Sequence, residues 1–296
     1  MPEPLSIPNN CEIGGHVSIS GGIDQAAQRA VNIGGNCMQV FSGSPRSWQR
    51  PEVDQNSLKK MFAIKQELGF KSIFTHTLYL INLASEKQAL VTKSIRSLIF
   101  DLQFDSLVKG SGAIVHLGSH QGRGFTAVKT QLVKTLQDIL KQTPPDSKLL
   151  IENSAGQQGK IASELTEIKW FLDELHSSRV GWCVDTCHAF AAGYPLVASS
   201  DYCQTSVKKD LVTTIKELQL AESLSCIHVN DSKTPFNGSN DRHENIGQGL
   251  IPSADLQNFL RHDMIKGIPI ITEVPGMDGT GPDQANITKI KKLVGV

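Results

Sequence analysis

The residues of this chain best suited to chemistry are histidines and carboxylates that recur at one kind of position. His76 closes the run SIFTH, His116 lies near the end of AIVHLG, and Glu152 closes LLIE. Asp185 closes VGWCVD with His188 three residues on, His228 lies in CIHVND, and Glu273 lies in IPIITEV. These runs are short and rich in Val, Ile and Leu, the composition of buried strands. Each polar group is therefore expected at the C-terminal end of a strand. The polar stretch from Asp231 to Leu250 adds Asp241-Arg242-His243. Residues two apart in an extended segment point the same way, so Asp241 and His243 could chelate one ion while Arg242 faces elsewhere. Asp185 and His188 are spaced for a strand end followed by a turn and need not share an ion.

Taken singly, each of these groups is more often a hydrogen-bonded buried residue or a surface residue than a metal ligand. Taken together they are hard to explain without cations. Unpartnered buried carboxylates and imidazoles are costly, and crowded acids repel one another unless cations neutralise them. The candidates are His76, His116, Glu152, Asp185, His188, His228, Asp241, His243 and Glu273. A catalytic zinc takes about three protein ligands and keeps a position open, so this set suits about three ions. The imidazoles favour zinc over magnesium, which prefers oxygen ligands; ligand type does not separate zinc from manganese or iron. Such a cluster would supply metal-bound hydroxide at neutral pH.

The elements that must position these groups alternate in type. Strands are expected at Ile13–Ile19, Cys37–Phe41, Ser72–Thr75, Ala113–Leu117, Leu149–Glu152, Val180–Asp185, Cys226–Asn230 and Pro269–Val274. Helices are expected at Asp24–Asn32, Gln55–Leu68, Glu86–Val108, Ala127–Lys141, Ala162–Leu175, Lys208–Ser223, Ala254–Met264 and Gln284–Leu293. Eight strands each followed by a helix is the order of a closed parallel TIM barrel, an α/β fold. A doubly wound sheet is the alternative, but Gly34-Gly35 follows a helical segment instead of opening one, and no dinucleotide fingerprint is present. No repeat or linker divides the chain, so residues 1–296 read as one domain. The expected loop at Asp231–Leu250 is long, and long loops after barrel strands build the active face.

Composition narrows the class further. Hydrophobic residues make up 39% and charged residues 20%, ordinary for a globular protein. The formal net charge is zero, so a polyanion must be held by a local patch or by metal. Six scattered cysteines do not form a disulfide framework. Cys183 reads as barrel packing, and Cys187 lies beside the candidate ligands. His176 and His262 are expected on solvent-facing helices, while His16 and His120 either orient ligands or are plain hydrogen-bonded histidines. Met1–Asn10, with Pro2, Glu3 and Pro4, lacks a signal-like apolar run, and no stretch is long enough to span a membrane. A cytoplasmic protein is expected.

Three local motifs, with GGHVSISGG at Gly14–Gly22, give the chain a specific resemblance: HTLYLINLA (His76–Ala84), GWCVDTCH (Gly181–His188) and IHVNDSKTPFNGSNDRH (Ile227–His243). It resembles the endonuclease IV family of apurinic/apyrimidinic endonucleases over nearly its whole length. The resemblance implies a barrel with three zinc ions that cuts DNA on the 5′ side of an abasic site, leaves a 3′-hydroxyl, and also removes 3′-blocking groups. It implies that His76 and His116 hold one ion, that Asp185, His228 and Glu273 hold a second, and that Glu152 bridges the two. His188, Asp241 and His243 would hold the third. Glu152 and Glu273 are the candidate catalytic residues. Trp182, Gln248, Thr272 and Val274 depart from the family pattern without removing a ligand.

The loops carry the expected DNA contacts. SGSPRSWQR (Ser42–Arg50) offers Arg46 for a phosphate and Trp48 as an apolar surface; Tyr79 and Leu80 are placed as wedges; Lys233 and Arg242 could meet phosphates. Trp48 and Tyr79 could equally pack the loops onto the barrel. The implied partner is double-stranded DNA containing abasic sites, with no organic cofactor and a monomeric state. Two rivals remain: a metal-dependent sugar isomerase or epimerase on a similar barrel, and a non-catalytic DNA-binding module.

Overall fold

Eight parallel strands hydrogen-bond side by side and close into a barrel, in chain order around the ring. The structure is a computed structural model and describes residues 11–296. Met1–Asn10, the stretch read above for a signal-like run, lies outside the described residues. The barrel strands are β1 (Ile13–His16), β2 (Cys37–Phe41), β3 (Ile73–His76), β4 (Gly112–Val115), β5 (Leu149–Glu152), β6 (Val180–Asp185) and β7 (Leu224–His228). A two-stranded hairpin of β8 (Asp231–Ser232) and β9 (His243–Glu244) follows, and β10 (Ile270–Thr272) closes the ring against β1. The helices are α1 (Ile23–Asn32), α2 (Gln55–Glu67), α3 (Gln88–Leu107), α4 (Phe125–Lys141), α5 (Leu165–Leu175), α6 (Thr186–Ala191), α7 (Leu211–Glu217), α8 (Ser253–Leu260) and α9 (Gln284–Val294).

The two-residue period of a strand explains how the site is placed. Cys37, Phe74, Ile114, Leu150, Cys183, Cys226 and Ile271 form one fully buried apolar cluster inside the barrel. Two residues beyond each of them come Gln39, His76, His116, Glu152, Asp185, His228 and Glu273. The same faces that build a dry floor thus present polar groups one step further towards the C-terminal mouth. Outward-facing residues such as Ile151, Trp182, Val184 and Ile227 pack instead against the helices. Trp182, one of the departures from the family pattern, is buried and donates its indole N–H to the Leu220 carbonyl at 2.9 Å. A buried Trp needs such a partner.

Several expected boundaries move. The first strand stops at His16, and Val17–Ile19 belong to the following loop. The Lys208–Ser223 helix shortens to α7, because Asp210 caps its start by accepting from the Thr213 N–H and Gln219 takes a positive φ of 55° past its end. Helix α6 was not expected at all. Its start is capped by Asp185, which accepts the His188 N–H at 2.8 Å. The expected irregular loop at Asp231–Leu250 contains the β8–β9 hairpin. His176 and His262 are both exposed but lie at an α5 end and a 3-10 turn, outside regular helix. His120 accepts the Gly124 N–H at 3.1 Å and so braces its own loop.

Asp105 of α3 is buried, and among the described residues no cationic side chain pairs with it. Burial pushes its carboxyl up to about 7, against hydrogen bonds from the Gly112 and Lys148 backbone and from Thr75. The native state therefore keeps this proton after the unfolded chain has released it, and stability falls as pH rises from about 4 to about 7. Asp105→Asn removes that dependence. Between pH 5.5 and pH 8.5 the variant is expected to lose about 2 kcal/mol less than the parent, read from urea midpoints at each pH. Equal losses in both proteins would remove the burial argument.

Candidate metal centre

Glu152 is the hub of the mouth. Its carboxylate is fully buried at the end of β5. Oε2 lies 3.1 Å from His76 Nε2 and 3.1 Å from His116 Nε2. Oε1 lies 2.9 Å from His228 Nδ1 and 3.4 Å from His188 Nδ1. One oxygen thus serves one side of the cluster and the other oxygen the opposite side, the geometry of a bridging ligand. Burial would raise the Glu152 carboxyl, but His116 and His228 beside it hold it well below the usual carboxylate range.

Three sets of donor atoms surround this hub. His76, His116 and Glu152 form one; Glu152, Asp185, His228 and Glu273 form the second, each set with its donor atoms within 4.8 Å of one another. The third has Asp241 between two imidazoles, with Oδ2 3.2 Å from His188 Nε2 and Oδ1 3.3 Å from His243 Nε2. Asp185 sits on the border of the last two, because Asp185, His188 and His243 also bring their donor atoms within 4.8 Å. The spacing of Asp185 and His188, which left a shared ion optional, is the spacing of a helix cap and its N–H. Cys187 also comes within 4.8 Å of the Asp241 and His243 donors, but its Sγ lies 3.6 Å from the Arg242 carbonyl.

Backbone partners fix which ring nitrogen faces inward. His76 Nδ1 lies 2.8 Å from the Thr77 carbonyl and His188 Nδ1 3.0 Å from the Asn153 carbonyl. A carbonyl only accepts, so both rings carry their proton on Nδ1 and turn Nε2 to the cluster. His188 Nε2 and His243 Nε2 are buried and, among the described residues, make no well-aligned hydrogen bond, although the Asp241 oxygens lie 3.2 and 3.3 Å away. Burial opposes charge on His188, yet Asp185 and Asp241 overcome it and push its pKa up to about 10. His116, with less compensation, is pushed down to about 3 by burial. Imidazole nitrogens aimed at crowded carboxylates need either protons or cations between them. This donor set fits divalent cations, and its imidazoles fit zinc.

One side chain ties together the two ends of the loop that carries Asp241 and His243. Buried Asp231 accepts four backbone N–H groups, from Ser232 at 2.8 Å, Gly247 at 2.9 Å, Gly249 at 2.9 Å and Ile251 at 3.0 Å. Gly249 approaches so closely that any Cβ there would strike the Asp231 carboxylate. Asp231→Asn replaces one accepting oxygen with an NH2 and leaves buried N–H groups unmatched, a cost of about 1–3 kcal/mol each. The variant is expected to speed amide exchange across residues 231–251 while β3–β5 keep their protection. Unchanged exchange in that loop would contradict the assignment.

Not every expected contact residue reaches the mouth. Tyr79 is 62% exposed and packs edge-on against Phe41 with ring centroids 5.2 Å apart. A cavity of about 290 Å³ over the donors is lined by Tyr79 and Arg242 together with His76, His116, His188, Asp241, His243 and Glu273. An adjoining one of about 740 Å³ adds Arg46, His16 and Phe41. Trp48 and Leu80 are half-buried and pack against the apolar core. Lys233 pairs with Glu244 at 3.4 Å. The Ser42–Arg50 loop is anchored from behind, where Arg50 meets buried Asp101 at 3.2 Å.

The sequence reading missed four polar groups that hold the ligands. Asn153 exchanges hydrogen bonds with the Asp185 backbone, and Asn230 donates to Asp185 Oδ2 at 2.6 Å while accepting the Glu273 N–H at 2.8 Å. Thr77 holds His76 through its carbonyl. Gln39 touches Glu273, His228 and His16. A usable signal existed for Gln39: it sits two residues past Cys37 on its strand, as each strand-end ligand sits two past its floor residue. His16, which was expected either to orient a ligand or to be an ordinary histidine, lies 3.1 Å from Glu273 Oε1.

Comparison with known proteins places this geometry in context. Residues 27–293 match a family model described as a xylose isomerase-like TIM barrel. The chain is similar to a protein named Probable endonuclease 4 from Halothermothrix orenii, with 31% identity over 95% of this chain and 99% of that one. It is also similar to a protein of the same name from Thermosipho melanesiensis, with 35% identity over 90% of this chain and 92% of that one. Among solved structures, endonuclease IV from Thermus thermophilus superposes with a TM-score of 0.82 and 26% identity, over 96% of this chain and 99% of the other.

Proposed function

The chain belongs to the endonuclease IV family of xylose isomerase-like TIM barrels, and on that premise we propose that it is a zinc-dependent DNA repair endonuclease. It hydrolyses the phosphodiester on the 5′ side of an abasic site in duplex DNA, leaves a 3′-hydroxyl, and removes 3′-blocking groups by the same attack. The observation that carries the reading is the position of Glu152, whose two oxygens face His76 and His116 on one side and His228 on the other. Such a bridged set suits attack on phosphorus more than the carboxylate-dominated, one- or two-ion sites of sugar isomerases. A DNA-binding module without turnover has no use for it.

Zinc bound there would supply water acidified towards neutral pH and positive charge against the phosphate oxygens. Everything else falls to the chain. His76, His116 and Glu152 would hold one ion; Glu152, Asp185, His228 and Glu273 would hold a second; His188, Asp241 and His243 would hold a third. Glu273, at the rim beside His16, also orients the attacking water. His188, Asp241 and His243 would hold the positive charge that offsets charge building on the leaving oxygen. Tyr79 and Arg46 flank the mouth; Tyr79 fills the space beside an unstacked nucleotide and Arg46 meets a phosphate, as Arg242 does from the opposite loop. An abasic nucleotide has no base to unstack, so it turns out into the cavity cheaply. Trp48, Leu80 and Lys233 contribute from the margins of the same face. No helix among the described residues is long and apolar enough to cross a membrane, and the enzyme acts as a cytoplasmic, single-domain monomer without an organic cofactor.

The test is a nicking assay on an oligonucleotide duplex with one abasic site. Incision 5′ to the site with a 3′ end that a polymerase extends is expected, together with loss of incision after strong chelation and recovery with zinc. Incision that persists in the fully chelated protein, or epimerisation of a ketose with no nicking, would overturn the reading.

A further inference from the structure

Eight strands reach the mouth, and β1 and β2 are the two that supply none of the nine ligands named above. They supply His16 and Gln39 instead. Gln39 is completely buried. Its Nε2 lies 2.6 Å from Glu273 Oε1 and 2.8 Å from His16 Nδ1, and its Oε1 lies 2.7 Å from His228 Nε2. The amide cannot be reversed, because that would set its oxygen against the Glu273 carboxylate at hydrogen-bonding distance. With the NH2 on Glu273, the carbonyl oxygen faces His228 and can only accept. His228 must therefore carry a proton on Nε2, which turns Nδ1 towards Glu152 Oε1 at 2.9 Å and Glu273 Oε2 at 3.4 Å.

We propose that Gln39 is a positioning residue that sets the tautomer of His228 and the rotation of Glu273 together, so that the second donor set is assembled before any ion arrives. The proposal rests on reading His228 and Glu273 as zinc ligands. Its physical content is a single rigid amide with a donor for the carboxylate and an acceptor for the imidazole. Both ligands are thereby referred to β2, a strand that binds no metal itself. The amide nitrogen also lies 2.8 Å from His16 Nδ1, which in turn lies 3.1 Å from Glu273 Oε1, so all three groups meet at one point. Groups that hold the far side of a ligand in this way change metal affinity about 10–100-fold when removed.

The test compares the full-length protein with Gln39→Met, which keeps the volume and removes both hydrogen bonds. In the zinc-loaded parent, nitrogen-15 spectra of the histidines are expected to show His228 protonated on Nε2, with a cross-peak to the Gln39 amide protons. In Gln39→Met, competition with a chromophoric chelator is expected to show one class of zinc weakened about 10–100-fold with the others unchanged. At limiting free zinc, kcat on the abasic duplex falls by a similar factor while KM stays constant. Zinc affinities within about threefold of the parent, or a parent His228 protonated on Nδ1, would overturn the proposal. The parent spectrum decides the matter even if Gln39→Met does not fold. Failure of the endonuclease reading itself looks different, because the unaltered protein would then neither nick the duplex nor retain zinc.

Discussion

Glu152→Gln is expected to lower kcat on an abasic duplex by at least about 10³-fold, roughly 4 kcal/mol of lost transition-state stabilisation. The substitution keeps the volume of a fully buried side chain and changes only its charge and one oxygen. In the native geometry both oxygens are in use, Oε2 by His76 and His116 and Oε1 by His228. Whichever way the new amide turns, its NH2 faces imidazole lone pairs on one side of the cluster. One ion of the proposed cluster would lose its shared ligand there and meet a donor in its place. DNA affinity should change little, since Arg46 and Tyr79 lie on loops that do not rest on Glu152. Single-turnover nicking and fluorescence anisotropy with the same duplex separate the two effects. A variant that nicks within about tenfold of the parent rate would remove Glu152 from the centre of the chemistry. Glu273→Gln is expected to act in the same direction, with a smaller loss because Glu273 serves one ion.

Removing zinc is expected to abolish nicking and to cost the fold about 4 kcal/mol relative to protein held in free zinc at about 1,000 times its dissociation constant. Without cations, the same side chains must neutralise one another. Glu273 and Glu152 overcome burial to raise His228 well above the ordinary imidazole range, and Asp185 and Asp241 raise His188 to about 10. His116, pushed down to about 3 by burial, is already neutral at pH 7. Zinc uptake at neutral pH must therefore displace protons from His188 and His228, because ligand imidazoles bind in their neutral form. Calorimetry in two buffers of different ionisation enthalpy measures those protons directly. Apparent zinc affinity should rise with pH across the neutral range. No net proton release on loading would show that the imidazoles were already neutral and that the neighbouring carboxylates do not hold His188 and His228 charged.

The sequence made the barrel and most of the site legible for one physical reason. A strand has a period of two, so a floor residue and a ligand two positions later share one inward face. Leu150 with Glu152 and Cys183 with Asp185 can be read directly from the chain, as can the alternation of strands with helices. Gln39 obeyed the same spacing but went unseen, because an amide is not a metal ligand and its value lies in partners on two other strands. Helix α6 was missed for a related reason. Asp185 is both a candidate ligand and the cap of that helix, and only the second role involves the backbone N–H of His188. Loop residues divided less predictably. Tyr79 is exposed and Trp48 is half-buried, a difference set by how each loop lies on the barrel, and such packing leaves no periodic trace in the chain.

The apolar plug formed by Cys37, Phe74, Ile114, Leu150, Cys183, Cys226 and Ile271 has a bearing on the order of events in the cell. It seals the rear of the barrel, so cations enter and leave by the same doorway that receives the duplex. If metal and duplex bind as proposed, loading would come before docking, and a seated duplex would cover the doorway. The enzyme would then lose its ions slowly while on damaged DNA and quickly while searching, which ties its vulnerability to metal starvation to the time it spends unoccupied.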